Sequence, residues 1–250
     1  MCADSGDMSC PGCGSDIQGG DKYCRVCGRD VAPSIVKKPL PDGKAPIVMT
    51  VVIVLALAAA VGCIMLFYGP WWLVIVGVLI MISALAYSAG PYPLSHHGLG
   101  DLAVIIFFGI IPVTLTCFLQ TGSWKGLNII IPASLAVGLL AANVLIVNNY
   151  RDMEDDAAVG KRTTVVIFGR KFMSLAYLLS GVAGMVVMFP VWMELPLWSL
   201  AVPAVYIVLH IKVWLKLRQA TGTALNPLLG RTAVNLLLFS LLFISASLFV

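Results

Sequence analysis

The stretch LNIIIPASLAVGLLAANVLIVNNYRDMEDDAAVGKRT, residues 127–163, joins an uncharged apolar run to the most charged segment of the chain. The run 127–147 is long enough to cross a bilayer as a helix. Residues 151–162 then carry four carboxylates and three cations, in a 250-residue chain that is 60% hydrophobic and only 11% charged. A membrane helix that leads directly into such a cluster predicts a site for divalent metal and phosphate at its end.

Apolar runs of similar length recur along the chain, whose mean hydropathy is +0.96. We therefore predict an all-α fold, a polytopic transmembrane helical bundle of about seven spans. The predicted spans are residues 47–67, 71–87, 102–119, 127–147, 172–191, 198–214 and 233–250. They form a predicted transmembrane domain at 46–250, which follows a small N-terminal zinc ribbon at 1–31 and a basic linker at 32–45.

The distribution of Lys and Arg predicts how the spans are oriented. Six of the 16 cations precede the first span, five lie between the fourth and fifth, and four lie between the end of the sixth and the start of the seventh. Only Lys125 falls on the other side, which predicts a multi-pass protein of the cell inner (plasma) membrane with a cytoplasmic N-terminus. The net charge of +4 thus reflects orientation in the bilayer and does not indicate nucleic-acid binding.

The N-terminal segment contains two CxxC pairs, formed by Cys10, Cys13, Cys24 and Cys27. Four thiolates at this spacing suit tetrahedral Zn²⁺. Because the segment is too short for a hydrophobic core, the metal would supply its folding free energy. Disulfides or free thiols are the alternative, and a cytoplasmic location disfavours disulfides. We therefore predict a structural zinc site without catalysis.

The acidic loop after the fourth span has the spacing of a magnesium site. Asp152 and Asp156 are four residues apart, so a helical turn places them on the same side. Two carboxylates so placed can hold one Mg²⁺ and leave positions for phosphate oxygens and water. Arg151, Lys161 and Arg162 can pair with phosphate oxygens. The alternative is a solvated loop whose charges satisfy each other, which explains the cations but not the order of the acids.

Two further segments carry candidate substrate contacts. The side chain of Asn149 can donate or accept as an amide beside the acids. The loop 87–101 is predicted to be cytoplasmic but has no Lys or Arg, and its prolines stiffen it. Tyr87 and Tyr92, with His96 and His97, can line a pocket for an aromatic acceptor. The alternative is an ordinary turn between spans with interfacial tyrosines.

The string NNYRDMEDDAAVGKRTTVVIFG, residues 148–169, resembles the second aspartate-rich motif of the UbiA-type intramembrane prenyltransferases. It resembles in particular the menaquinone branch, the dihydroxynaphthoate polyprenyltransferases. YSAGPYPL at 87–94, with GLGD at 98–101, is similar to the loop of that branch two spans earlier. That loop usually ends in Glu, and here it ends in Asp101. The resemblance covers residues 47–250 and leaves out the ribbon.

The resemblance implies Mg²⁺-dependent transfer of a polyprenyl group from a polyprenyl diphosphate to an aromatic acceptor, dihydroxynaphthoate-like, in quinone biosynthesis at the lipid bilayer. It implies that Asp152 and Asp156 hold Mg²⁺ at the diphosphate, and that Lys161 and Arg151 assist its departure. The implied substrate-binding residues are Asn149, Arg162, Tyr87, Tyr92 and Asp101.

The chain departs from the family pattern before its first span. Family members normally have nine spans and a first motif of NDxxDxxxD type after the second span, whereas residues 1–45 contain no such motif. Three explanations stay open: a remnant that keeps the fold without catalysis, a site completed by another subunit that carries the first motif, or a one-metal reaction. The alternative function is thus a non-catalytic or split-site membrane subunit that binds prenyl lipid and docks partners through its zinc ribbon.

Overall fold

The computed structural model describes residues 8–9, 13, 16–17, 44–65, 67, 69–88 and 92–248. The chain divides into two compact units, Met1–Ala59 and Ala60–Val250. In the first unit, strand β1 (Met8–Ser9) pairs antiparallel with strand β2 (Asp16–Ile17). Helix α1 (Lys44–Met65) begins in this unit.

The predicted zinc site falls almost entirely outside the described residues. Cys10, Cys24 and Cys27 are among those left undescribed, and Cys13 is exposed in a turn. The zinc ribbon and the linker at 32–45 therefore stay predictions.

The described part of the second unit consists of helices joined by short connections. Its elements are α2 (Trp72–Ser88), a 3₁₀ turn (Leu94–His96), α3 (Gly100–Val104), a π-helical segment (Ile105–Ile110), α4 (Ile111–Thr121), α5 (Leu127–Arg151), α6 (Met153–Ala158), α7 (Thr164–Val187), α8 (Phe189–Glu194), a 3₁₀ turn (Leu197–Leu200), α9 (Ala201–Leu217), a 3₁₀ turn (Gly222–Leu225) and α10 (Asn226–Ser247).

Five helical segments in the described part of the chain are long and apolar enough to cross a membrane. They are Gly100–Thr121, Leu127–Arg151, Thr164–Glu194, Leu197–Leu217 and Gly222–Ser247. Two shorter apolar helices, Met49–Ile64 and Trp72–Ser88, occupy the first two predicted spans. The predicted all-α, polytopic membrane fold is confirmed, and the protein is embedded in the membrane.

Helix α5 lies at the centre of the bundle, where it packs against α7, α10 and the segment Gly100–Ile110. Its fully buried residues include Ala136, Leu140 and Val147, at the spacing of one helical face. Gly138 faces Gly109 of the neighbouring span so closely that a Cβ on Gly109 would lie 2.6 Å from the nitrogen of Gly138. Small residues allow this approach, and close packing holds helices together where lipid removes the hydrophobic driving force.

Two breaks in helical geometry shape the spans around the site. The π-helical segment Ile105–Ile110 precedes Pro112, which has no N–H to donate to the carbonyl of Phe108. Helix α7 is interrupted at Gly169, whose φ of 78° and ψ of 161° are not helical. The first turn of α7 therefore follows a direction of its own and carries Thr164 toward the candidate site.

Candidate functional site

The acidic loop is a short helix between two spans. Helix α5 ends at Arg151, and Asp152 lies between it and α6 (Met153–Ala158). The amide of Asp156 donates to the carbonyl of Asp152 at 2.8 Å, so the two aspartates are one helical turn apart. Gly160 then adopts a φ of 74°, which a side chain would disfavour, and the chain folds back on α6.

Asp152 is held by the residue before it. The Arg151 guanidinium donates from Nε and Nη2 to the two carboxylate oxygens of Asp152 at 2.6 and 2.7 Å. The same Nη2 donates to Asn148 Oδ1 at 2.9 Å. This bidentate pair holds the pKa of Asp152 below its ordinary value, so the carboxylate is ionised at neutral pH.

Asp156 is the more buried member of the predicted pair, with 8% of its surface exposed. Its Oδ1 accepts from Lys161 Nζ at 3.0 Å, because the turn at Gly160 brings Lys161 back over α6. Its Oδ2 is buried and has no hydrogen-bond partner in the described part of the chain. A buried carboxylate oxygen without a partner is costly, and a cation or donor at this position would relieve the cost.

A third acid lies across the site at the start of α3. Asp101 Oδ2 accepts from Thr164 Oγ1 at 2.5 Å, which links α3 to the first turn of α7. Asp101 Oδ1 is buried and, like Asp156 Oδ2, has no partner among the described residues. The side chain of Thr163 caps α7 by accepting from the amide of Val166 at 3.4 Å, which fixes where the helix begins.

A polar pocket of about 330 Å³ lies between the loop after α2, the start of α3, the end of α5 and the start of α7. The residues that line it are Tyr87, Ser88, Ser95, His96, Gly98, Gly100, Asp101, Leu145, Asn148, Asn149, Lys161, Thr163 and Thr164. Four predicted site residues are among them, namely Tyr87, Asp101, Asn149 and Lys161. The pocket therefore collects residues from both stretches that the sequence singled out.

The other predicted site residues do not line this pocket. Asp156 forms an ion pair with Lys161, which lines the pocket. Arg151 and Asp152 form an ion pair with each other. Tyr92 is 61% exposed and stacks on His97, with ring centroids 3.4 Å apart.

Arg162 contributes its backbone to the site. Its amide donates to the carbonyl of His96 at 3.1 Å, and residues 97 and 162 form a parallel bridge.

Sequence reasoning gave no role to Asn148, Ser95, Thr163 or Thr164, all of which line the pocket. The signal for the two threonines was present in the string GKRTT after the acids, where a threonine before an apolar run is typical of a helix cap. Asn148 is an amide at the end of the same span as its neighbour Asn149. Successive residues of a helix point to different sides, so both amides were candidates for the site.

Two apolar cavities adjoin the polar pocket. One of about 500 Å³ shares Tyr87 and Leu145 with it and extends along α2 and the π-helical segment, past Phe107. Another of about 500 Å³ shares Leu145 and Asn148 with it and extends between α5 and α10. A polar end that opens into apolar space suits a ligand with an anionic head and a hydrocarbon tail.

Two carboxylates near the pocket could each serve as a ligand of a divalent cation. Asp101 Oδ1 and Asp156 Oδ2 are carboxylate oxygens without partners in the described region. Among the described residues, no three His, Cys, Asp or Glu side chains come together as a ready metal cluster. Mg²⁺ commonly binds one or two carboxylates and completes its shell with water and substrate phosphates, so either carboxylate is a suitable ligand for it.

Comparison with known proteins identifies relatives of this chain. The chain is 33% identical over 246 aligned positions to a 1,4-dihydroxy-2-naphthoate octaprenyltransferase of Escherichia coli, covering 92% of this chain and 75% of that protein. It is 45% identical over 93 positions to the Haemophilus influenzae protein of the same name, and 36% identical over 117 positions to that of Mycobacterium tuberculosis. These two matches cover 30% and 39% of the relatives' own length.

No solved structure gives a significant match to this fold. The model of the UbiA prenyltransferase family matches residues 30–229, most of the described bundle and both motif-bearing loops. The chain belongs to the UbiA prenyltransferase family.

Proposed function

We propose that this protein transfers a polyprenyl group from a polyprenyl diphosphate to an aromatic acceptor of the 1,4-dihydroxy-2-naphthoate type, in quinone biosynthesis. One observation carries the proposal: a polar pocket with Asp101, Asn149 and Lys161 in its wall adjoins apolar cavities within the bundle. The octaprenyltransferase relatives and a 2-carboxy-1,4-naphthoquinone phytyltransferase relative, 32% identical over 109 positions, support the choice of acceptor class.

The diphosphate occupies the polar pocket, where Lys161 and Asn149 bind its oxygens. Family members in general depend on magnesium, and Asp156, Asp101 and Asp152 are the carboxylates that would hold it here. When bound, Mg²⁺ supplies positive charge that stabilises the departing diphosphate. Arg151 pairs with Asp152 in this structure. For Asp152 to hold Mg²⁺ and Arg151 to bind the diphosphate, as the sequence predicts, the Arg151 side chain has to leave Asp152.

The reaction breaks the bond between the first prenyl carbon and the diphosphate oxygen, and an electron-rich ring carbon of the acceptor then attacks the allylic cation. The ring regains its aromaticity when the attacked carbon loses a proton or, where that carbon bears a carboxylate, CO₂. Lys161 assists because its charge meets the charge that develops on the leaving group. The apolar walls around Phe107 and Leu145 exclude water from the cation. Tyr87 borders both the polar pocket and an apolar cavity and would contact the acceptor ring. Arg162 and Tyr92 do not line the pocket, and their proposed substrate contacts rest on the sequence alone.

The decisive experiment is turnover by the purified full chain in detergent, with polyprenyl diphosphate, the naphthoate acceptor and Mg²⁺. The matched variants are Lys161→Gln, which removes the cation in the pocket wall, and Lys171→Gln, which removes an exposed cation from the same end of α7. We expect Lys161→Gln to lower the rate about 10²-fold, the usual cost of one group that stabilises transition-state charge, and Lys171→Gln to leave it unchanged.

Absence of product from the wild-type chain, with retained Mg²⁺-dependent binding of the diphosphate, would favour the non-catalytic subunit over the enzyme. Product that forms only when a second protein with an NDxxD motif is added would favour the split site. The absence of that motif from residues 1–45 is the observation that keeps these alternatives open.

A further inference from the structure

A second pocket, of about 470 Å³, lies between α9 and α10 and shares no lining residue with the polar pocket. Its lining is Leu209, Lys212, Val213, Leu215, Lys216, Arg231 and Asn235. We propose that this pocket binds the phosphate headgroup of an anionic phospholipid.

The polar residues converge because of their spacing on the two helices. Lys212 and Lys216 are four residues apart on α9, and Arg231 and Asn235 are four residues apart on α10. Residues at this spacing lie on one side of a helix. Since α9 and α10 pack against each other, the two polar sides meet at one groove. The result is three cations and an amide around a single concave space.

These cations differ from those of the acidic loop in having no counter-charge. Arg151, Lys161 and Arg170 each pair with a carboxylate, at 2.6, 3.0 and 2.7 Å. In the described part of the chain, no carboxylate comes within salt-bridge distance of the cations that line the second pocket, and none of its described lining residues is acidic. Three like charges repel one another, so an anion among them is favoured.

Asn235 adds an observation that does not depend on charge. It lines the pocket, 7% of its surface is exposed, and its Nδ2 has no hydrogen-bond partner among the described residues. A buried amide donor without a partner costs free energy, and a phosphate oxygen is the acceptor that would satisfy it. The positive-inside rule explains lysines and arginines at this membrane face, but it does not explain a buried amide without a partner beside them.

The walls of the pocket favour a lipid over a soluble phosphate. Leu209, Val213 and Leu215 form its apolar side, which suits acyl chains. The cations lie near the end of α9 and the start of α10, and Asn226 at that start lies 3.5 Å from Arg151 of the acidic loop. The pocket is therefore at the same membrane face as the acidic loop, where long basic side chains reach the interface.

The test is native mass spectrometry of the full-length protein released from micelles doped with phosphatidylglycerol or with zwitterionic phosphatidylcholine. The pocket variant is Lys212→Gln with Arg231→Gln. The matched control is Lys171→Gln with Arg218→Gln, which removes two exposed cations outside the pocket. Each cation next to an anionic headgroup contributes about fivefold in affinity, so the pocket variant should bind phosphatidylglycerol roughly 25-fold more weakly. The control cations lie outside the pocket, so their loss should weaken binding much less.

A third variant, Asn235→Leu, keeps the charge and removes the amide. It should also weaken phosphatidylglycerol binding, which a diffuse basic surface would not reproduce. Equal loss in the pocket and control variants would overturn the proposal, as would equal retention of phosphatidylcholine. Glycerol phosphate that binds as tightly as the lipid would overturn the lipid assignment, and displacement of the lipid by farnesyl diphosphate through this pocket would assign the pocket to the prenyl donor instead.

Discussion

The contact between Gly109 and Gly138 gives a prediction whose size follows from the structure. A Cβ added at Gly109 would lie 2.6 Å from the nitrogen of Gly138 and 2.6 Å from the carbonyl oxygen of Ser134. Both are backbone atoms of α5, so they cannot turn aside as a flexible side chain would. Gly138 Cα is closer still, so to restore an ordinary contact of 3.4 Å the two spans would have to separate by more than about 0.8 Å, within an interior that is closely packed on both sides.

We expect Gly109→Ala to destabilise the bundle by about 1–3 kcal/mol, the usual cost of overpacking a core. The matched control is Gly230→Ala on α10, where an added Cβ meets nothing within 4 Å. Alanine favours a helix over glycine by about 1 kcal/mol in both variants, so the difference between them isolates the packing cost. The free energy of unfolding is measured by titrating sodium dodecyl sulfate into dodecyl maltoside micelles and following helix content.

The same substitution has a functional consequence. The π-helical segment that contains Gly109 also supplies Phe107 and Phe108 to the walls of the apolar cavities. Displacing it should raise the KM for the polyprenyl diphosphate while Gly230→Ala leaves the KM unchanged. Equal unfolding free energies for the two variants would refute the close approach of these spans.

Three further predictions concern the loop and the orientation. Asp156→Asn should weaken Mg²⁺-dependent diphosphate binding by about 10- to 10²-fold, as expected for loss of a charged hydrogen-bond acceptor, whereas Asp155→Asn at the exposed neighbour should leave calorimetric binding unchanged. Arg151 lowers the pKa of Asp152, so the stability this pair contributes is complete above the ordinary aspartate pKa and is lost only as the pH falls through the lowered value. Arg151→Gln should therefore move the midpoint of acid unfolding to higher pH, and an unmoved midpoint would contradict the pairing. Alkaline phosphatase fused after Val250 should be active, and green fluorescent protein fused at the same place should not fluoresce, because the charge bias predicts that Val250 lies across the membrane from the cytoplasm. The opposite pair of results would show that the topology is reversed.

The spans were the more predictable part of the fold because bilayer thickness and hydropathy determine them locally. The fourth predicted span, 127–147, begins where α5 begins, at Leu127. The fifth is predicted to start at 172, close to where α7 resumes after its break at Gly169, whereas the turn that begins at Thr164 precedes the span and is capped by Thr163. Hydropathy finds where a helix enters lipid, whereas capping decides where it begins.

The site was predictable in composition but not in pairing. The order of residues 148–163 indicated phosphate and metal chemistry, and Lys161 and Asn149 do line the pocket. The bond from Thr164 to Asp101 joins residues 63 positions apart, and nothing local to either one indicates it. The pairing of Asp156 with Lys161 depends in turn on how the chain turns at Gly160.

The backbone hydrogen bond from Arg162 to His96, with the bridge between residues 97 and 162, makes the two rims of the pocket mechanically continuous. Neither rim can move outward alone without breaking this main-chain pairing. An exchange of loops with a relative must therefore transplant both segments as one cassette, since a lone graft would leave its partner segment without the main-chain contacts that shape it.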